Sequence, residues 1–150
     1  MMELALFKEP FVEPWAPERL RLLFERNEDN NSKGGNVSDF YLYAWIDDRE
    51  YCSGFQAIMD DEFVLEFHAP SHLSFGRISA KPLGRAIKET AGSAYDEERE
   101  RIVKIMGSMN CEQFPDLIKK IGEVARQGGP ERISLTGDEK KYLGKLLKKR

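Results

Sequence analysis

A change in the pattern of apolar residues near residue 80 constrains the fold of this chain most strongly. Between residues 39 and 68, short acidic turns separate three runs rich in aromatic and branched side chains, Phe40–Ile46, Tyr51–Met59 and Phe63–His68. From residue 81 onward, apolar residues recur at three- and four-residue spacing, which is typical of amphipathic helices. The sequence therefore predicts an α+β fold, with a three-stranded antiparallel meander at about 39–68 followed by about four C-terminal helices packed on the sheet.

Prolines and polar residues divide the N-terminal part of the chain. Pro17 suits a first helical position, and Leu20, Leu23 and Phe24 then share one face, so we predict a short helix over 18–26. Ten residues without an apolar side chain follow at 27–36, and they predict a mobile polar loop.

The C-terminal part is divided in the same way. Helices are predicted to begin near Pro82 and Pro115, because proline fits only the first turn of a helix. Another is predicted to begin at Asp96, where a stretch with apolar residues on one helical stripe starts. The last helix is predicted to be capped by Ser134 or Thr136. A chain of 150 residues is long enough for one sizeable core. We therefore predict one α+β domain over 1–150, made of an irregular segment and short helix at 1–27, the polar loop at 27–36, the meander at 39–68 and a helical region at 81–150.

The register of the meander decides which side chains face the helices. Two-residue turns at Asp48-Arg49 and Asp60-Asp61 would bring most aromatic side chains of the three strands onto one face of the sheet. We expect this face to be the core, and it includes Tyr41, Tyr43, Trp45, Phe63, Leu65 and Phe67. The opposite face would then hold Phe55 and His68, and a turn of odd length would exchange the sets. The number of helices favours a sheet covered on both faces, and a binding surface on the second face is the alternative.

His68 is the leading titratable candidate for chemistry. In the assumed register it lies opposite Ser53 and two residues from Glu66 on the same face. A catalytic serine needs a strained turn beside oxyanion-stabilising donors, whereas Ser53 lies inside a strand. We therefore expect no catalytic residues, and a small enzyme site at Ser53, Glu66 and His68 is the third hypothesis for function.

Metal and cofactor patterns are incomplete. His68 and His72 are four residues apart, but Pro70 prevents the helix that would align them as metal ligands. Cys52 and Cys111 lack a CxxC partner and are expected to be small buried side chains. We expect neither a metal nor a cofactor.

Two further parts of the sequence could bind nucleic acid or phosphate. Tyr41, Tyr43 and Trp45 could stack on bases, but no Lys or Arg interleaves them. The segment 74–85 is basic and precedes a predicted helix, but it lacks the glycine spacing and Gly-Lys-Ser/Thr ending of a phosphate loop. Core packing and an ordinary connection are the simpler interpretations.

The strongest functional indication is a charge break. Residues 1–100 carry 11 Lys and Arg against 20 Asp and Glu, a net charge of −9, whereas residues 101–150 carry 12 against 6, a net charge of +6. The last predicted helix turns its apolar side inward and a basic set outward: Lys140, Lys141, Lys145, Lys148, Lys149 and Arg150. This asymmetry indicates electrostatic binding by the basic end.

These observations favour a non-catalytic protein-binding or adaptor module that acts through a charge-polarised surface, with a protein partner or a second copy of the chain. A nucleic-acid-associated protein that contacts phosphates through the lysine-rich helix is the alternative. The chain lacks a basic, apolar leader and an apolar run of ~18 residues, so we expect a cytoplasmic protein without membrane association.

Overall fold

The computed structural model describes residues 5–27, 39–70, 72–80, 87–90, 95–129 and 131–149. Within them lie ten strands: β1 (Ala5–Phe7), β2 (Phe11–Pro14), β3 (Leu20–Glu25), β4 (Phe40–Ile46), β5 (Tyr51–Met59), β6 (Phe63–His68), β7 (His72–Ala80), β8 (Ile87–Thr90), β9 (Met109–Cys111) and β10 (Ile133–Ser134). The helices of the same part of the chain are α1 (Asp96–Gly107), α2 (Pro115–Gln127) and α3 (Gly137–Lys148).

Strands β2 to β8 form one antiparallel sheet in which each strand pairs with its neighbour in sequence. The short strand β10 pairs with the start of β5. Strands β1 and β9 form a separate parallel pair, and Lys8 N–H donates to the Glu25 carbonyl at 3.0 Å, which ties β1 to the end of β3. The chain therefore combines a long meander with a helical C-terminal part.

The prediction of a three-stranded meander and four C-terminal helices is wrong. The segment predicted as a short helix over 18–26 is strand β3, which pairs with β4 along its whole length. Leu20, Leu22 and Phe24 are buried, whereas Leu23 is only partly buried. Burial of alternate residues is expected for a strand. Leu20 and Phe24 would also share a helix face, and leucine, arginine and glutamate all favour helices, so the pattern alone was ambiguous. Pairing with β4 decides the conformation.

Two strands also replace elements predicted after residue 70. Residues 74–80, the first part of the predicted basic loop, belong to β7, and Ile87–Thr90 forms β8 inside the segment predicted as a helix from Pro82. The remainder of that helix, 82–86, and residues 28–36 of the predicted mobile loop lie outside the described residues.

The later helices follow the sequence signals closely. Helix α1 begins at Asp96, as predicted, and α2 has Pro115 in its first turn and ends before Gly128. Helix α3 is capped by Thr136 rather than Ser134. The predicted starts of these three helices are therefore confirmed, whereas Met109, predicted as the end of the first of them, lies in β9.

The turn between β5 and β6 has three residues, not two. Met59 pairs with Phe63 across Asp60, Asp61 and Glu62, and both aspartates adopt left-handed backbone angles, with φ of 56° and 54°. Aspartate tolerates this region better than most residues. The extra residue moves the alternate side chains of β6 to the opposite face, because side chains along a strand repeat every two residues.

This shift overturns the predicted core face. Phe63, Leu65 and Phe67 join Phe55 in the main core together with the buried residues of the three helices. A second, smaller cluster lies on the other face of the sheet, where Ile58 and Val64 are buried against Tyr41, Tyr43 and Ile78. Among the described residues that second cluster contains only strand residues, so α1, α2 and α3 cover one face of the sheet.

Candidate functional site

The lysine-rich helix α3 is fixed at its N-terminus by a capping box. The Thr136 hydroxyl accepts from the Glu139 N–H at 3.2 Å, and the Glu139 carboxylate accepts from the Thr136 N–H at 2.9 Å. The second oxygen of this carboxylate accepts from the Leu117 N–H of α2 at 2.9 Å. Glu139 is 2% exposed, so one buried carboxylate joins the first turns of α2 and α3.

The apolar side of α3 faces the protein interior. Leu143 and Leu146 are buried in the main core, and the Tyr142 ring meets Phe114 edge-on at 5.8 Å. The Tyr142 hydroxyl donates to Glu9, and this hydrogen bond raises the pKa of Tyr142 to about 12. These contacts fix which side of the helix faces solvent.

The solvent-facing side carries four exposed lysines, called the lysine face here: Lys140, Lys141, Lys145 and Lys148. Among the described residues, none of the four has a carboxylate within ion-pair distance, whereas Lys149 lies 4.0 Å from Glu9. Arg150, the last predicted binding residue, lies outside the described residues. The lysine face therefore presents positive charge that no described carboxylate neutralises.

A glycine lies within the lysine face. Gly144 is three residues from Lys141 and four from both Lys140 and Lys148, so these lysines surround it on the helix surface. A Cβ atom placed on Gly144 would meet nothing within 4 Å. Glycine costs about 1 kcal/mol relative to alanine inside a helix, and the described structure offers no packing reason for that cost. Sequence analysis missed this residue, although the amino-acid sequence places Gly144 among Lys140, Lys141 and Lys145.

The face of the sheet opposite the helices carries an aromatic row. The rings of Tyr41 and Tyr43 meet edge-on at 5.7 Å, and those of Tyr43 and Trp45 lie 6.3 Å apart. The Arg21 guanidinium lies between Trp15 and Tyr43, 3.7 and 4.2 Å from the two ring centroids. Arg21 is 7% exposed and pairs with Glu13, so its positive charge is already paired with a carboxylate.

The proposed grouping of Ser53, Glu66 and His68 is only partly formed. Gly54, not Ser53, pairs with His68, because the three-residue turn shifts β6 by one residue relative to β5. Glu66 lies 3.4 Å from His68 Nε2 and accepts a hydrogen bond from Gln56. The geometry therefore gives a Gln–Glu–His cluster, and the predicted position of Ser53 opposite His68 is wrong.

The two cysteines are buried, as expected. Burial raises the pKa of Cys52 to about 12, and burial likewise raises the pKa of Cys111. Their thiols therefore remain protonated and unreactive at neutral pH.

Neither a metal cluster nor a membrane span is found in the part of the chain that the structure describes. No group of three histidine, cysteine or acidic side chains there is arranged to hold a metal ion. His68 and His72 are register partners in the β6–β7 pairing. No described helix is long and apolar enough to cross a bilayer.

Comparisons with protein-family models, with curated proteins and with solved structures find no match for this chain.

Proposed function

We propose that this protein is a non-catalytic binding module that uses the lysine face of α3 to contact an acidic surface of a protein partner. The observation that carries the proposal is the set of four exposed lysines without a described carboxylate partner, on a helix whose other side is fixed in the core. Ammonium groups held on one side of a rigid helix attract an acidic partner and orient its approach.

Gly144 supports direct contact rather than long-range attraction alone. Without a side chain at this position, a partner can approach the helix backbone between Lys141 and Lys148. A helix that only needed charge for solubility would gain stability from alanine at this position. The open position is therefore consistent with an interface at which close approach matters.

Several features favour a protein over a nucleic acid as the partner. The chain carries a net charge of −3, and the lysine face extends over one 12-residue helix, about 18 Å long. No described arginine or aromatic side chain lies within the lysine face to read bases or stack on them. Unpaired lysines do bind phosphates without regard to sequence, so binding to nucleic acid is the alternative to be tested.

Charge reversal separates these two candidates. The triple variant Lys141→Glu, Lys145→Glu and Lys148→Glu should lose a protein partner that the wild type retains in nuclease-treated extract of its source. A matched control reverses three exposed charges elsewhere, with Lys104→Glu, Lys119→Glu and Arg126→Glu, and should retain that partner. Equal retention by both variants would contradict the proposal.

A direct titration tests the nucleic-acid alternative. If a labelled DNA duplex binds the wild type with an affinity that falls steeply as salt rises, and the lysine-face variant abolishes this binding, phosphate contact becomes the better account. Absence of such binding is the result that the protein-partner proposal expects.

A further inference from the structure

A cleft at the end of the sheet, which shares no residue with the lysine face, has the size of a small-molecule site. It has a volume of about 480 Å³ and is lined by Arg49, Tyr51, Ala69, Pro70, Glu131 and Arg132. Pockets of a few hundred Å³ are the usual size for small ligands. Three segments distant in sequence contribute to it.

Strand topology explains why the cleft exists. β6 pairs with β5 only as far as Gly54, and β10 pairs with the same strand at Cys52 and Tyr51. Because β4 occupies the other edge of β5 through Cys52, β6 and β10 lie end to end along one edge. The cleft is the space where the chain leaves β6 at Pro70 and enters β10 after Arg132.

Two arginines, Arg49 and Arg132, line this cleft, and Asp47 contacts the backbone of the first and the side chain of the second. One oxygen of its carboxylate accepts from the backbone N–H groups of Arg49 and Tyr51, at 2.9 and 3.0 Å. The other lies 3.1 Å from Nε of Arg132, which leaves the terminal nitrogens of that guanidinium available. Among the described residues, the guanidinium of Arg49 has no carboxylate partner. Guanidinium groups bind carboxylates in a planar, two-bond geometry.

The remaining walls favour a flat apolar group. Tyr51 is one of the two large apolar side chains that are exposed among the described residues, at 39%, and the rings of Tyr51 and Pro70 both line the cleft. Glu131 adds one negative charge to the lining, which disfavours a dianion such as phosphate more than a monoanion. We infer that the cleft binds a small aromatic monocarboxylate, with its carboxylate at Arg49 and Arg132 and its ring against Tyr51 and Pro70.

Titration with benzoate, followed by backbone amide NMR shifts, tests this inference. Benzoate should shift the amides around Tyr51 and Arg132 in a saturable manner, while benzyl alcohol, of similar shape but neutral, should bind at least about tenfold more weakly, as expected for loss of a charge-assisted hydrogen bond. Arg49→Gln should weaken benzoate binding by a similar factor and leave the fold intact, because no described group depends on that side chain.

Two controls make the result decisive. Arg99→Gln removes an exposed arginine of α1 and should leave benzoate affinity unchanged, whereas Tyr51→Thr should weaken it by removing the aromatic wall. Absence of shifts at the cleft, equal binding by the Arg49→Gln variant, or tighter binding of inorganic phosphate than of benzoate would each overturn the inference. None of these outcomes depends on the lysine face, so this test stands apart from that of the proposed function.

Discussion

At the scale of single residues, two helix glycines have opposite surroundings. A Cβ atom at Gly122 would lie 2.7 Å from the Met106 carbonyl oxygen, where α1 and α2 approach closely, whereas one at Gly144 would meet nothing within 4 Å. Gly122 therefore serves packing inside the protein. Gly144 has no such role among the described residues, which is why we connect it with a partner.

The two alanine variants should change stability in opposite directions. Gly144→Ala should raise the free energy of unfolding by about 0.5–1 kcal/mol, because alanine loses less backbone freedom on folding. Gly122→Ala should lower it by about 1–3 kcal/mol, since α1 and α2 must separate to admit the methyl group. Urea unfolding of both variants measures these changes, and a destabilised Gly144→Ala would show that the position has an internal packing role.

The buried thiol of Cys52 predicts a loss of stability at alkaline pH. In the unfolded chain the thiol ionises near its ordinary pKa of 9.0, whereas in the folded protein burial raises that pKa to about 12. Above pH 9 the unfolded state therefore binds fewer protons than the folded state, and the free energy of unfolding falls as pH rises. For this thiol the loss between pH 8 and pH 10 should be about 1.4 kcal/mol.

Urea unfolding at pH 8, 9 and 10 checks this dependence, with Cys52→Ala as the comparison. The variant should be less stable at pH 8 because it loses the packing of the buried sulfur, and its stability should fall less steeply between pH 8 and pH 10. Parallel curves for the two proteins would show that Cys52 does not titrate as its burial requires.

At the scale of elements, the three-residue turn between β5 and β6 selects the core face. Deleting Asp61 would leave a two-residue turn and turn Val64, Glu66 and His68 toward the helices in place of Phe63, Leu65 and Phe67. Such a variant should lose the cooperative unfolding transition and the near-ultraviolet circular dichroism of the native protein. A transition at the wild-type midpoint would show that the turn does not control register.

Asp61→Gly is the matched control for this deletion. It keeps the turn length, and glycine adopts the φ of 54° found at this position without steric cost. The variant loses an exposed hydrogen bond from the Tyr41 hydroxyl, and exposed hydrogen bonds contribute little to stability, so it should fold and unfold much as the wild type does.

The sequence predicted elements well where local signals act alone. Pro115 and Thr136 mark the starts of α2 and α3 because a fixed proline angle and a capping hydroxyl are properties of a few residues. It failed for β3, whose leucines and arginine suit a helix until pairing with β4 is considered. It also failed for the register of β6, since the acidic sequence between β5 and β6 is compatible with a turn of either two or three residues.

At the scale of the whole molecule, the described helices lie on one face of the sheet. The helices cover one face of the sheet and bury their apolar stripes there, which leaves the lysine face of α3 in solvent. The predicted lysines lie together because helical spacing fixes their relation once the apolar side is known. The open space at Gly144 and the cleft at Tyr51 could not be predicted in that way, because open space and the meeting of distant segments are properties of the folded chain.

Cross-linking with a carbodiimide, which joins lysine amines to carboxylates in direct contact, tests the central claim most directly. In nuclease-treated extract of the source, the wild type should give cross-linked peptides that connect Lys141, Lys145 or Lys148 to Asp or Glu of one protein partner. Gly144→Leu keeps every charge but fills the open position, and it should abolish these cross-links. Cross-links spread equally over Lys104 and Lys119, or unchanged in Gly144→Leu, would contradict a specific interface on α3.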